Sequence, residues 1–402
     1  MALPRYSGLG SSGRLRAMRR LAPKVTLLLV SVLLATRRCA TLMAAPRGGW
    51  GWTPNVVVPL RQVALPQRVH GEGFCVFHLS VGSKVLALVP DTGLRSALLL
   101  TKNACERLGV DVQDEQPEVL GSTGEVSIGR INLDDAHFDG AGVLPLALGL
   151  LSGIVSPNFL QRQLGKEQGV RVDGLAGMGL LDRVDLEIGA SSMRVWPAGS
   201  MPMPGADWQQ LSVVMLPSFL MGVMLARPGK ASEGVIGIVD TGATHTVLNK
   251  RAAQVLGLED RAASCFTSEP RIIQGRAISR EVQEMPLVLA DGLAIYGGDG
   301  VSLEWGGGEW TFSNTTFSNN APSVPVAPVQ AAVGDLAFFE ELLRQDDIGR
   351  FVGAVALLGQ DILAQRPLKL CSGWQNFCSE WRFPQKHIWF GRAASGQPGA
   401  SA

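Results

Sequence analysis

The chain has 402 residues, 46% of them apolar and 18% charged, with a formal net charge of +1. That length exceeds one ordinary domain and the composition suits a substantial core, so two lobes are the natural expectation. The near-zero charge, with no basic stripe to neutralise phosphates, argues against a nucleic-acid partner.

In chain order, the N-terminus has no Asp or Glu before Glu72 but is rich in Arg. Arg19-Arg20 precede an apolar run, Val25 to Ala35, and Arg37-Arg38 follow it. Eleven residues are short for a membrane span and suit a signal-peptide core; the acid-free, Arg- and Ser-containing composition suits an organelle transit peptide equally. Residues 1–45 therefore read as a targeting leader, for the secretory pathway or for a plastid or other organelle. If uncleaved, it would be the chain's contact with a membrane. Gly8-Leu9-Gly10-Ser11-Ser12-Gly13 matches a dinucleotide fingerprint in spacing, but it follows no strand and is rejected. Residues 46–70 read as a linker or pro-segment.

In the first half, a turn at Gly82-Ser83-Lys84 joins two expected strands, and the run Val85-Leu86-Ala87-Leu88-Val89 leads to Asp91-Thr92-Gly93. An apolar segment then closes on Glu106-Arg107-Leu108-Gly109-Val110. Gly121-Ser122-Thr123-Gly124 is a candidate flap tip, and Gly174-Leu175-Ala176-Gly177-Met178-Gly179-Leu180-Leu181 is an apolar segment punctuated by glycine. The half ends on a strand with Arg194-Val195-Trp196. The breaker-rich stretch Pro197 to Gly205 reads as the connection between lobes.

The second half repeats this order. A turn at Arg227-Pro228-Gly229-Lys230 and the run Val235-Ile236-Gly237-Ile238-Val239 lead to Asp240-Thr241-Gly242. Thr246-Val247-Leu248 runs on to Gln254-Val255-Leu256-Gly257-Leu258, so Asp240 to Gly257 spans 17 residues where Asp91 to Gly109 spans 18. Gln274-Gly275-Arg276 is the second flap candidate. Ala356-Leu357-Leu358-Gly359-Gln360-Asp361-Ile362-Leu363 and a strand with His387-Ile388-Trp389 complete the match. Blocks recurring in one order indicate an internal duplication. The lobes are expected over 71–198 and 208–392, with 393–402 a disordered tail. The second is longer, with the extra residues at about 289–352: a hairpin signal at Gly306-Gly307-Gly308, a Pro-rich stretch from Ala321 to Pro328, and a helix over Asp335 to Arg344. The helix's apolar stripe reads as core rather than a lid. Asn314-Thr315-Thr316 is a glycosylation acceptor, meaningful only on the secretory route.

With two Asp-Thr-Gly units in matching surroundings, the chain resembles the retropepsin-like aspartic peptidases, in a tandem single-chain form, and more distantly the two-lobed pepsins. The resemblance implies a mainly β fold of two acid-protease barrels related by a pseudo-twofold axis, in a monomer whose lobes pair within one chain. It implies an aspartic endopeptidase acting on extended peptide or protein substrates, without cofactor or metal. Asp91 and Asp240 are the catalytic candidates. Two carboxylates about 3 Å apart cannot both ionise, so one acts as base on a water while the other donates a proton. Thr92, Gly93, Thr241, Gly242, Ala243 and Thr244 would form the supporting loops, the threonines bonding across the axis. Gly177 and Gly359 would pack behind the loops, where a side chain would collide.

The first loop departs from the family pattern. Pro90 precedes the Asp, and Leu94-Arg95 stand where a small residue and Ser or Thr are expected; Arg95 near the dyad would favour an ionised carboxylate. The two tyrosines are Tyr6 and Tyr296, so neither flap candidate carries one. These departures motivate two alternatives: a protease-like fold that binds peptides without cutting, and a dyad formed by Asp240 from two chains. Six cysteines are too few for a disulfide scaffold, though Cys371 and Cys378 could close a loop or remain free thiols. No Cys-x-x-Cys occurs and the five His are scattered, so no metal site is expected.

Overall fold

The computed structural model describes residues 55–63, 73–121, 124–142, 146–156, 169–216, 220–228, 234–258, 272–276, 282–297, 301–306, 309–314, 322–336, 339, 353–371 and 387–392. The leader, the tail, Cys378, the residues following Asn314 and most of the expected helix at 335–344 lie outside these. Among the described residues no helix is long and apolar enough to cross a membrane.

The apolar runs ahead of each Asp form strands buried on both faces. Lys84–Pro90 is buried over its last five residues and Val235–Val239 throughout. Such strands belong mid-sheet, where each fully buried Leu or Val contributes roughly 1.5–3 kcal/mol. Lys84–Pro90 runs antiparallel to Phe74–Val81 and parallel to Gly174–Ala176. In the same way Val235–Val239 runs antiparallel to Met221–Ala226 and parallel to Val355–Leu358. The strand that follows each Asp loop, Leu98–Thr101 or Val247–Leu248, pairs on the far side of that parallel partner. Each then enters a short helix. Lys102–Leu108 is capped by Thr101 Oγ1 and Lys250–Val255 by Asn249 Oδ1. The Leu-Gly pairs are where these helices end: Gly109 and Gly257 take φ of 72° and 64°, a left-handed geometry that glycine adopts without a Cβ clash.

The chain is mainly β, in two tandem barrel lobes related by a pseudo-twofold axis. The first lobe closes on itself, because Leu79–Val81 of Phe74–Val81 pair with Ala136–Phe138 of Gly124–Phe138. In the second, Met221–Ala226 pairs with Leu293–Tyr296, which pairs with Ser323–Val326, so the sheet runs on instead of closing. This revises the expected insertion at about 289–352. Leu293–Tyr296, Ser323–Val326 and Val329–Val333 belong to the main sheet, and a separate two-stranded hairpin, Val301–Gly306 with Glu309–Asn314, is the addition. The Pro-rich stretch is an edge strand, where Pro325 removes no interior ladder bond.

A seven-stranded sheet joins the lobes. Val184–Ile188 of the first lobe pairs with Leu368–Leu370 of the second, with Glu187 opposite Lys369. Outward from this seam lie Ser192–Pro197 and Val56–Pro59 on one side, His387–Gly391 and Trp208–Ser212 on the other. The two Trp-bearing strands are thus symmetry mates, and Trp196 and Trp389 are both buried. Lys369 Nζ sits 3.2 Å from Glu187 Oε2 and 4.2 Å from the centroid of the Trp208 ring. Val56–Pro59 corrects the reading of 46–70 as linker or pro-segment. Its alternating burial and its pairing with Ser192–Pro197 make it a strand of the first lobe.

Candidate active site

Each Asp sits at the end of a central strand, held by the last carbonyl of the parallel neighbour: Asp91 N donates to Ala176 O at 2.8 Å and Asp240 N to Leu358 O at 3.1 Å. This alternation makes Pro90 harmless to the ladder. Asp91 N faces Gly174–Ala176, so the preceding nitrogen faces the opposite side, where pairing with Phe74–Val81 has already ended at Leu88.

The two loops grip each other through their threonines. Thr92 Oγ1 donates to Val239 O at 2.7 Å and accepts from Thr241 N at 3.0 Å. Reciprocally, Thr241 Oγ1 donates to Pro90 O at 2.8 Å and accepts from Thr92 N at 3.1 Å. Both threonines are buried, so each hydroxyl is satisfied only across the axis. The glycines are demanded by the opposite carboxyl. A Cβ on Gly93 would lie 2.5 Å from Asp240 Cγ, and one on Gly242 would lie 2.5 Å from Asp91 Cγ. Gly93 N donates to Asp91 Oδ1 at 2.9 Å; Gly242 N and Ala243 N donate to Asp240 Oδ1 at 2.8 and 3.1 Å.

The carboxyls of Asp91 and Asp240 are hydrogen-bonded to each other within one chain. This removes the motive for a dyad of two Asp240 residues from separate chains. Burial first, then the charge of Asp240 and the hydrogen bond with it, hold Asp91 well above the usual carboxylate range. Burial also raises Asp240, but the hydrogen bond from Asp91 and the N–H groups of Gly242, Ala243 and Gly93 oppose the rise. Both carboxyls are thus pushed upward by burial and the pair titrates as a unit, sharing a proton. Arg95 is exposed, and burial comes first among the causes that raise both carboxyls.

Gly177 and Gly359 both stand against backbone at the Asp loops. A Cβ on Gly177 would fall 2.2 Å from Ser96 O, and one on Gly359 2.4 Å from His245 C. Thr244 is half-buried, and among the described contacts it makes no hydrogen bond to Asp240; the neighbouring Ala243 N does. Gly121 and Gly124 pair across a hairpin of Gln113–Gly121 and Gly124–Phe138, while Gln274–Arg276 lie on an arm of the hairpin Ile272–Arg276 with Val282–Ala290.

Sequence reasoning missed the residues that brace the second loop. Gln360 Nε2 donates to Thr241 O at 2.6 Å, and Gln360 N to Ala243 O at 2.8 Å. Asp361 accepts from Thr246 N at 2.9 Å and from Thr246 Oγ1 at 2.7 Å, and Thr246 Oγ1 accepts from Gly359 N at 3.1 Å. Their signal was two polar residues inside an otherwise apolar segment. Thiol chemistry has no support among the described cysteines: Cys105 and Cys371 are pushed up to about 11 and about 12, in both cases chiefly by burial.

Two barrels, one Asp-Thr-Gly loop from each and a shared sheet across the axis define the class: a tandem acid-protease fold. No family model and no curated protein matches the sequence. Among solved structures the chain is similar to EDGP, at a TM-score of 0.41 and 10% identity over 85% of this chain and 96% of that one. It is similar to basic 7S globulin from soybean, at 0.40 and 12% over 84% and 95%. A retropepsin-like aspartic protease from Rickettsia conorii aligns at 0.24 and 20% over 37% of this chain and 96% of that one. These are distant likenesses, and the functional reading rests on the loop geometry.

Proposed function

We propose that the chain is an aspartic endopeptidase with Asp91 and Asp240 as its catalytic dyad. The observation that carries this reading is the hydrogen-bonded carboxyl pair, held by the reciprocal threonine grip. In the reaction, ionised Asp240 takes a proton from a water molecule, which attacks the scissile carbonyl carbon. Protonated Asp91 gives its proton to the carbonyl oxygen as the tetrahedral intermediate forms. As the C–N bond breaks, Asp240 gives its proton to the departing amine nitrogen while Asp91 takes one from a hydroxyl of the gem-diol, so the product carboxyl forms and the dyad regains its starting state. The substrate is an extended peptide, paired through backbone hydrogen bonds with the two hairpins. The protein acts as a monomer without metal or cofactor, after delivery by its N-terminal leader to the secretory pathway or an organelle.

A second reading, a peptide-binding scaffold that does not cut, is favoured by Leu94 and Arg95, which occupy the places of Ala243 and Thr244 in the other loop. Cleavage of a mixed peptide library by the full chain, from acid to neutral pH, separates the two. Under the proposal, activity is bell-shaped in pH. It is lost in acid as Asp240 gains a proton and at higher pH as Asp91 loses one. Asp91→Asn and Asp240→Asn each lose about a thousandfold or more. A folded wild type that binds library peptides without cleaving them, and keeps binding them as Asp91→Asn, would establish the scaffold instead.

A further inference from the structure

The two Asp loops carry the same tripeptide, and Asp91 takes the N–H groups of Gly93 and Leu94 as Asp240 takes those of Gly242 and Ala243, yet the peptides that donate are not braced equally from behind. Asp240 Oδ1 accepts two backbone N–H groups, from Gly242 and Ala243. The peptide unit joining Thr241 to Gly242 is planar, so its C=O and N–H point in opposite directions. Gln360 Nε2 pins that C=O from behind at 2.6 Å, and the same plane aims Gly242 N–H at Asp240 Oδ1 at 2.8 Å. Gln360 is buried and its own N–H holds Ala243 O, so one residue grips the loop on both sides of Gly242 and directly fixes the peptide plane that carries the Gly242 N–H. In the first lobe the matching residue, first after Gly177, is Met178. Its backbone N donates to Leu94 O at 2.7 Å, as Gln360 N does to Ala243 O, but its side chain has no donor for the Thr92 carbonyl.

We propose that Gln360 is a positioning residue that designates Asp240 as the ionised base, by locking the Thr241–Gly242 peptide plane so that its N–H is committed to the Asp240 carboxylate. The inference rests on the dyad reading above for its consequence in catalysis, though its geometric part concerns only the carboxyls. The lock acts on charge because an N–H committed in advance stabilises a carboxylate without reorganisation, whereas a peptide free to rock shares its donor less well. The titratable and charged groups around the loop are Asp91 across the axis, His245 on the loop itself, Asp361 bonded to Thr246 behind it, and exposed Arg95 on the opposite loop. None of these changes when Gln360 is replaced.

The test is the carboxyl titration of the full chain by NMR with carboxyl-labelled Asp, assigned with Asp91→Asn and Asp240→Asn, beside peptide-library cleavage. In Gln360→Met, which gives the second lobe the first lobe's residue, the lower apparent pKa of the pair is expected to rise by about one unit, since a hydrogen bond to charge is weakened. In an active wild type, kcat on the acid limb would fall about tenfold with KM within about twofold. Met178→Gln, the reverse exchange, supplies a donor behind Thr92 and should lower the upper value, which keeps the idea testable if Gln360→Met fails to fold. Unchanged titration in the folded variants would overturn the proposal whatever the activity. An inactive wild type whose titration still shifts in Gln360→Met would overturn the peptidase reading and leave the positioning role standing.

Discussion

The first and second Asp loops solve one geometric problem with different chemistry. What they share lies at the axis: threonines bonded across it, and glycines pressed against the opposing carboxyl. What differs lies behind. The second loop is backed by Thr246, Gln360 and Asp361, a buried polar network with its donors and acceptors matched. At the place of Thr246 the first loop has Ala97, whose carbonyl accepts from Gly177 N at 3.0 Å where Thr246 Oγ1 accepts from Gly359 N. Gly179 stands at the place of Asp361, with no room for a side chain: its Cβ would lie 2.7 Å from Ala97 N. One loop is held by hydrogen bonds and the other by close apolar packing. The pair's symmetry is thus tight where the two carboxyls meet and relaxed one residue deeper. The difference teaches that the backing of each loop can change without disturbing the geometry at the axis.

The largest effect should come from the glycines behind the loops. Gly177→Ala and Gly359→Ala each force a methyl into backbone atoms that cannot rotate away, and each is expected to cost about 3–5 kcal/mol or prevent folding, read by thermal unfolding. If one were tolerated, the loop in front of it would not be rigid and the shared frame would fail. Next come the threonines. Thr92→Val and Thr241→Val each remove a hydroxyl that both donates and accepts in a buried site, a loss of about 2–3 kcal/mol in chemical denaturation. The two values should agree, and a clear inequality would break the claim that the grip is symmetric.

The backing network should then reveal the asymmetry. Asp361→Ala strips Thr246 of its partner and is expected to cost about 1–3 kcal/mol, measured by denaturant midpoint. The first lobe, with glycine at that place, already tolerates the absence of a carboxylate there. The smallest effect concerns pH. Asp91 has its folded pKa raised above the unfolded value, so the folded state binds the extra proton between the two values. Its stabilising contribution is present below the unfolded pKa and is lost as pH rises through the folded one. Asp91→Asn should flatten that decline and raise stability at neutral pH, seen as a higher melting temperature at pH 7 but not at pH 3.

Much of this was legible from the chain because the signals were local or repeated. The run of five apolar residues before each Asp required a doubly buried strand, and the duplicated order of blocks required a pseudo-twofold partner for each. Gly306-Gly307-Gly308 announced its hairpin, whose strands pair with Gly306 opposite Glu309. Other features depended on partners remote in sequence. Val56–Pro59 is too short to declare itself a strand, and only its pairing with Ser192–Pro197 makes it one. The closure of the first barrel and the opening of the second depend on whether a strand near Leu79 or Met224 meets Phe138 or Tyr296, a choice of long-range register. The helices ending at Gly109 and Gly257 span only two turns, too little for periodicity to show.

By itself, the sequence determined the class of fold, the two aspartates and the glycines beside them, because a tripeptide at the end of a buried strand has few conformations open to it. Only the tertiary structure decided that the carboxyls share a hydrogen bond within one chain and that Gln360 reaches the carbonyl of Thr241 across 119 positions. Proton affinity is set by burial and by the aim of nearby donors. Those are properties of the packed chain, fixed when distant segments meet.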